Sequence, residues 1–411
     1  MESITNSKCP EFSNIHVLVN KVKDELENKL YLLVLDDVWN EDFMEWDKLK
    51  SVLDVGAAGS KVIVTTRKQL VASVVRGIIP PYNLGVLSEA QCWSIIKKKA
   101  FSPGGASKTT NMKNIGKEIA KKCGGLPLAA TFFGGLMHSQ KDESHWLSIR
   151  DNKSLETPKN QGSGIIPILK LSYDNLPSHL KQCFSYCGLF PKNWVFNKET
   201  LIRLWMAEGF LHPPSGGNQN SLEDIGDDYF LTLLSNSFFQ DVEKDDPGDI
   251  QTFKMHDLAR SVASSHEVTI PNVSEMQNNA SQIRRLQLII EGEASPTVSN
   301  VFINAKQLRT VFYEGGCLSF WKPRGNKRLR VIHPLGYGGH WYLAYRFNFD
   351  PAKTSLETLS FPYIHLRYLD LQFSRIEEVD TASISRVYNL QTLNLVGVRN
   401  VHMVLSRIDF K

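Results

Sequence analysis

Apolar residues along this chain change their spacing several times, and each change marks an element. Ile15, Leu18, Val19, Val22 and Leu26 recur at the three-to-four-residue spacing of one helix face, which predicts a helix that stops near Asn28. Tyr31–Leu35 then runs apolar without interruption and ends in Asp36-Asp37. Lys61–Val64 repeats the pattern and ends in Thr65-Thr66-Arg67. Runs of this kind are the pattern of strands buried on both faces of a parallel sheet. Trp46, Leu49, Val52 and Leu53 supply a short crossover helix between them, so the segment reads strand, helix, strand.

From Leu87 to about Gln161 the spacing turns helical. Ser88 with Gln91 makes a capping box, and Ile115–Lys122 and Pro127–Met137 form two helices around Gly124-Gly125. Asp151–Gly164 is polar and carries Pro158, Gly162 and Gly164, a linker composition. A second helical group follows over Ile165–Leu171, Leu180–Leu189, Thr200–Glu208 and Leu222–Leu234. It closes on two strand patterns, Ser237–Asp241 and Gln251–Met255, around Pro247-Gly248. Helices followed by a hairpin are the grammar of a winged helix. Further on, Leu366-x-x-Leu369-x-Leu371 recurs as Leu390-x-x-Leu393-x-Leu395, a period of 24, and Leu308-x-x-Val311-x-Tyr313 and Leu329-x-x-Ile332 are degenerate copies. That phase and period are those of leucine-rich repeats.

Composition adds limits more than direction. With 411 residues, 42% hydrophobic and 22% charged, the chain is long and apolar enough for several folded domains. A net charge of +4 is too mild to require nucleic acid or anionic lipid. Met1–Phe12 has no secretory pattern, and the apolar run Leu128–Met137 is too short to span a bilayer, so the expectation is a soluble protein. The six cysteines lack a C-x-x-C pair and read as reduced thiols. His179, Cys183 and Cys187 share a helical face, but Leu180, Phe184, Tyr186 and Leu189 among them make that face a core and not a metal site. Trp321 with Lys322, Arg324, Lys327, Arg328 and Arg330 forms the one marked basic patch, read as a solvated surface and not as a nucleic-acid site.

Five motifs stand in an order that resembles a known family. Leu32–Trp39 (LLVLDDVW) resembles a Walker B strand, and Gly59–Arg67 (GSKVIVTTR) is similar to the strand that follows it. Gly125-Leu126-Pro127-Leu128-Ala129 looks like the GLPLA turn, Cys183–Lys192 like a winged-helix signature, and Met255-His256-Asp257 like the MHD motif. Together they resemble the plant NB-ARC leucine-rich-repeat disease-resistance proteins, with Trp39 closer to the coiled-coil subclass. The implied fold is multidomain, α/β plus α. It comprises a partial P-loop-type parallel sheet over 1–86, a helical domain over 87–162, a winged helix over 163–270 and the start of a leucine-rich-repeat solenoid over 271–411.

By that resemblance Asp36 holds Mg²⁺, Asp37 occupies the catalytic acidic position and Arg67 reads the γ-phosphate. Gly125, Leu126 and Pro127 pack near adenine, and His256 reaches the β-phosphate. Asp257 is expected as the N-cap of the following helix. The implied cofactor is ADP or ATP with Mg²⁺, the implied output a defence switch in the cytoplasm, at a membrane periphery or in the nucleus, and turnover resets the switch without making a metabolic product. The implied partners are a pathogen effector or a guarded host protein bound through the repeats, with self-association or pairing with another receptor. No Walker A string, G-x-x-x-x-G-K-[ST], occurs in the 411 residues, and Met1–Thr5 resembles the segment well after that loop, so N-terminal truncation is expected. The alternative is a nucleotide-free truncated receptor that serves as an interaction partner or decoy.

Overall fold

The structure is a computed structural model. It describes residues 15–75, 79–155, 165–213, 221–264, 283–289, 304–314, 328–335, 355–356, 365–370, 375–376 and 388–394. The chain divides into two compact units, Met1–Gly85 and Val86–Lys411.

In the first unit, helix α1 (Ile15–Leu26) precedes strand β1 (Leu32–Leu35), helix α2 (Phe43–Leu53), strand β2 (Lys61–Val64) and the short helix α3 (Gln69–Val74). Asp42 caps α2 by accepting from the amides of Met44 and Glu45, which gives two of the helix's orphan donors a partner. Strands β1 and β2 pair in parallel with Leu32 opposite Lys61 and Leu35 opposite Val64. The expected burial on both faces is not met. Leu32 and Val34 are 64% and 55% exposed, and Val62 and Ile63 are exposed too. The apolar runs are written for a covered sheet, whereas the described sheet has two strands and exposes apolar side chains on both faces.

The second unit opens with helix α4 (Glu89–Ala100), whose Ser88–Gln91 capping box is present as expected. Helices α5 (Thr110–Lys121), α6 (Pro127–Ser139) and α7 (Glu143–Asp151) complete the first helical group. The second group contains α8 (Ile165–Asp174), α9 (Ser178–Cys187), α10 (Lys198–Glu208) and α11 (Leu222–Ser235), with α12 (Asp257–Ser264) after the wing. Strands β3 (Val195–Asn197), β4 (Phe239–Lys244) and β5 (Ile250–Met255) form a three-stranded antiparallel sheet in the order β3-β5-β4. The hairpin expected around Pro247-Gly248 is therefore present, joined by a third strand that the sequence pattern did not reveal.

Aromatic rings hold this unit together. Phe253 of β5 lies 5.1 Å from Phe196, 4.9 Å from Phe230 and 4.5 Å from Phe239 between ring centres, and Phe184 lies 4.4 Å from Phe238. Offset and edge contacts of this kind add to the gain from burying each ring. Cys183 and Cys187 are buried, and the Cys187 thiol donates to the Cys183 carbonyl, so the helical face with His179 is core. Among the described residues no cluster of three or more His, Cys, Asp or Glu side chains is placed to hold a metal ion, and no helix is long and apolar enough to cross a membrane.

Beyond the wing, β6 (Arg285–Ile289), β7 (Thr310–Glu314), β8 (Val331–Pro334), β9 (Tyr368–Asp370) and β10 (Thr392–Asn394) form one parallel sheet with its strands in chain order. Leu286, Val311, Ile332, Leu369 and Leu393 stand level across it, and all but Leu286 are positions that the repeat pattern puts in phase. The opposite face is also buried. Phe312 lies 4.6 Å from Phe190 and 5.7 Å from Tyr186, and Val331 and Tyr368 join the same core as the helices. Residues 371 and 395 of the repeat pattern, together with Trp321, Lys322, Arg324 and Lys327 of the basic patch, lie outside the described residues.

The two helical groups of this unit meet around a half-buried cation. The Lys99 ammonium contacts the Ser237 hydroxyl, which donates to the Thr131 carbonyl at 3.2 Å. Gly135 lets helix α6 approach the chain at Ser235–Asn236, where a β-carbon would fall 2.7 Å from the Ser235 carbonyl oxygen. Burial pushes the Lys99 pKa down to about 8. The unfolded chain then binds more protons between about pH 8 and the ordinary lysine range, so this group makes stability rise with pH across that window. Below it both states are charged and the burial penalty is complete. Lys99→Met is expected to be more stable than the parent at pH 7, with an advantage that shrinks by pH 9.5 in urea denaturation at the two pH values.

Candidate nucleotide site

The level pairing of β1 and β2 brings the residues that follow each strand side by side. The Thr65 amide donates to the Leu35 carbonyl and the Val38 amide to the Thr65 carbonyl, both at 2.9 Å. The Thr65 hydroxyl donates to Asp36 and accepts from the Asp37 amide at 2.8 Å. The Thr66 hydroxyl donates to the Val38 carbonyl, also at 2.8 Å. Asp37 turns the chain with φ of +50°, a left-handed conformation that aspartate tolerates better than most residues.

Arg67 grips Asp37 with a two-pronged fork. Its Nε and Nη2 donate to the two carboxylate oxygens, each at 2.9 Å. The same guanidinium lies 4.6 Å from the centre of the Trp39 ring, which holds it from one face. Lys68 pairs with Glu41 and stands 5.2 Å from the same ring. Both members of the Asp37–Arg67 pair are about half exposed, so the pair contributes little net stability and serves to orient the groups. A fork that matches a carboxylate also matches a phosphate, and the C-terminal ends of parallel strands are where α/β sheets take ligands. Asp36 presents carboxylate oxygen, the donor type that Mg²⁺ prefers. The structure thus brings Asp36, Asp37 and Arg67 together. It adds Thr65 and Trp39 as their positioning partners; the signal for Thr65 was a hydroxyl directly after an apolar strand.

In the second unit, Gly125-Leu126-Pro127 forms the turn from α5 into α6. Gly124 and Gly125 have φ of +56° and +77°, and the Gly125 carbonyl accepts from the Leu87 amide at 2.8 Å. Pro127 takes the first helical position, where its missing amide hydrogen has no cost. His256 sits between β5 and α12, and its Nδ1 accepts from the Leu258 amide at 3.1 Å. The expectation for Asp257 is thereby corrected. Asp257 is the first residue of the helix, its carboxylate pairs with Lys192 at 3.0 Å, and the preceding histidine ring satisfies the helix-end amide. Arg260 anchors the same helix by donating to the Phe190 carbonyl at 2.8 Å, and burial lowers its pKa.

These elements are those of a nucleotide-binding α/β unit together with a helical, winged-helix body. Family comparison matches residues 3–105 to the NB-ARC domain and residues 189–263 to the disease resistance protein winged helix domain. The chain carries both domains and is homologous to plant disease resistance proteins. It is 46% identical over 265 residues to disease resistance protein RGA2 of Solanum bulbocastanum, covering 64% of this chain and 26% of that protein. It is 32% identical over 408 residues to putative disease resistance RPP13-like protein 1 of Arabidopsis thaliana, covering 95% of this chain and 36% of that one. For disease resistance protein RPP13 of Arabidopsis thaliana the figures are 31% over 397 residues, 94% and 44%. The chain therefore spans between a quarter and a half of the length of these relatives.

Gly125 offers a direct test of the turn. A β-carbon there would fall 2.6 Å from the Leu87 carbonyl oxygen, whereas at Gly104, with φ of +81°, nothing lies within 4 Å. Gly104→Ala is expected to cost about 1 kcal/mol from backbone strain alone, and Gly125→Ala about 2 kcal/mol or more. Thermal denaturation of the two variants beside the parent measures the difference.

Proposed function

We propose that this chain is the switch portion of a plant intracellular immune receptor, set by bound ADP or ATP with Mg²⁺. The observation that carries the reading is the Asp37–Arg67 fork beside Asp36, at the C-terminal ends of paired parallel strands in an NB-ARC domain. Arg67 exchanges its carboxylate partner for nucleotide phosphate, Asp36 holds the metal ion, and Asp37 takes the acidic position from which an attacking water is polarised. Gly125, Leu126 and Pro127 line the base, and His256 reports on the β-phosphate. A nucleotide that favours one arrangement of these domains over another biases a two-state element, which is how a ligand becomes a signal. The domains are assigned as 1–86, 87–162, 163–270 and 271–411, the last as the first turns of a leucine-rich-repeat solenoid. Its partner is a pathogen effector or a guarded host protein, and the compartment is the cytoplasm.

A second reading has its own observation. The 411 residues contain no Walker A string, so this stretch lacks the amide cradle and lysine that usually hold the β- and γ-phosphates. On that reading the chain works without nucleotide, as an interaction partner or decoy for a related receptor. Nucleotide released from the purified chain by acid and quantified by chromatography separates the two. The switch reading expects close to one ADP per chain, and about tenfold to hundredfold weaker ADP binding by Arg67→Gln, the loss expected for a charge-assisted fork. Absence of nucleotide, with no uptake of millimolar ADP and Mg²⁺, favours the nucleotide-free reading.

A further inference from the structure

Arginine recurs at one position of the repeat sheet. Arg284, Arg309, Arg330 and Arg367 each immediately precede a strand, following Ile283, Leu308, Leu329 and Leu366. The Arg309 amide donates to the Arg284 carbonyl at 2.6 Å, Arg330 to Arg309 at 2.7 Å and Arg367 to Arg330 at 2.9 Å. These bonds stack the four residues in a column at the spacing of adjacent strands, about 4.8 Å.

The column meets the C-terminal end of helix α10. Arg330 Nη1 donates to the Glu208 carbonyl, and a β-carbon on Gly209 would lie 3.5 Å from Arg330 Nη1 and 3.6 Å from Arg367 Nη1. Beside it Arg285 Nε donates to the Glu208 carboxylate at 3.2 Å, and the Thr310 hydroxyl donates to the same oxygen. The Glu208 side chain has no solvent exposure. A helix end carries about half a negative charge, and cations there are favourable. One purpose of the arginines is therefore to dock α10 on the sheet.

Docking does not account for their number. Among the described residues the charged groups that act on Arg330 are Arg309, Arg367, Arg285 and Glu208, so four guanidiniums face one carboxylate and a helix end. Desolvation and the three neighbouring arginines together lower the Arg330 pKa. A guanidinium cannot escape this by giving up its proton, because its pKa stays far above neutral. Charge of this density, on side chains that remain partly exposed, calls for an anion with several oxygens and more than one charge.

We infer that Arg309, Arg330 and Arg367, beside Gly209, form a binding site for a small phosphate-class polyanion, distinct from the nucleotide residues at Asp36, Asp37 and Arg67. Bound there, the anion bridges consecutive repeats and strengthens their hold on the helix end. It stabilises the junction of the winged helix with the repeat sheet without touching the nucleotide.

Pyrophosphate is the probe. In thermal denaturation of the whole chain at constant ionic strength, set with chloride, pyrophosphate raises the midpoint. Isothermal titration of Arg309→Gln/Arg367→Gln shows binding at this site weakened at least tenfold, while Arg67→Gln retains it. Arg367→Lys keeps the charge and loses the fork, and binds at least threefold more weakly, which gives a result even where the double variant is poorly folded. The inference is overturned by equal stabilisation from chloride, by unchanged pyrophosphate binding in the arginine variants, or by loss of all binding in Arg67→Gln.

Discussion

Two strands of four residues, paired in parallel and in level register, govern the chemistry of the first unit. Because Leu35 stands opposite Val64, the next residues on each strand meet at one end, and Asp36, Asp37, Thr65 and Arg67 become neighbours. A slip of one residue would turn every side chain to the other face and separate the fork from its carboxylate. The Thr65 hydroxyl fixes that register from both directions, taking the Asp37 amide and giving its own proton to Asp36. The strained left-handed turn at Asp37 is thus held by bonds on both sides, which is the way a backbone outlier persists at a site.

The second unit is organised by packing and not by polar geometry. Phe184, Phe190, Phe238, Phe253 and Phe312 belong to one continuous core that takes in both helical groups, the wing and the repeat sheet. Removing a ring from such a core leaves a cavity that close-packed neighbours fill only in part, so the modules resist independent movement where they share rings. Polar groups then mark the joints. Lys99 and Ser237 sit where the two helical groups meet, and Glu208 with Arg285 and Arg330 where the winged helix meets the sheet. Buried charges at joints are costly unless fully partnered, which makes these places responsive to protonation and to ions.

Much of this was legible in the residues because local rules and tertiary structure agree. The Ser88 capping box, proline at the start of the helix from Pro127 and the Pro247-Gly248 hairpin follow from short-range chemistry, and all three are present. The phase of Leu308, Leu329, Leu366 and Leu390 foretold strands in register, and the sheet has them. Four features escaped. Val195–Asn197 is too short to show a period, and it becomes a strand by pairing with β5, where Phe196 stacks on Phe253. Asp257 looked like a cap, but the His256 ring reaches the helix-end amide first and Lys192 claims the carboxylate. The exposure of Leu32 and Val34 depends on which strands stand beside them, a fact of topology that no run of apolar residues encodes. The charge excess around Arg330 likewise needs three dimensions, since Arg285, Arg309 and Arg367 are far apart in the chain.

The proposed switch role implies that the residues after β1 and β2, the Gly125–Pro127 turn and His256 each respond to nucleotide. Hydrogen–deuterium exchange of the chain with and without ADP and Mg²⁺ tests it most directly, because amide protection is read segment by segment. The account predicts added protection over residues 33–39 and 62–68, over 123–128 and over 255–259, with little change in the sheet strands beyond Arg285. Protection that is absent from these segments at saturating nucleotide, or confined to one of them, would contradict it.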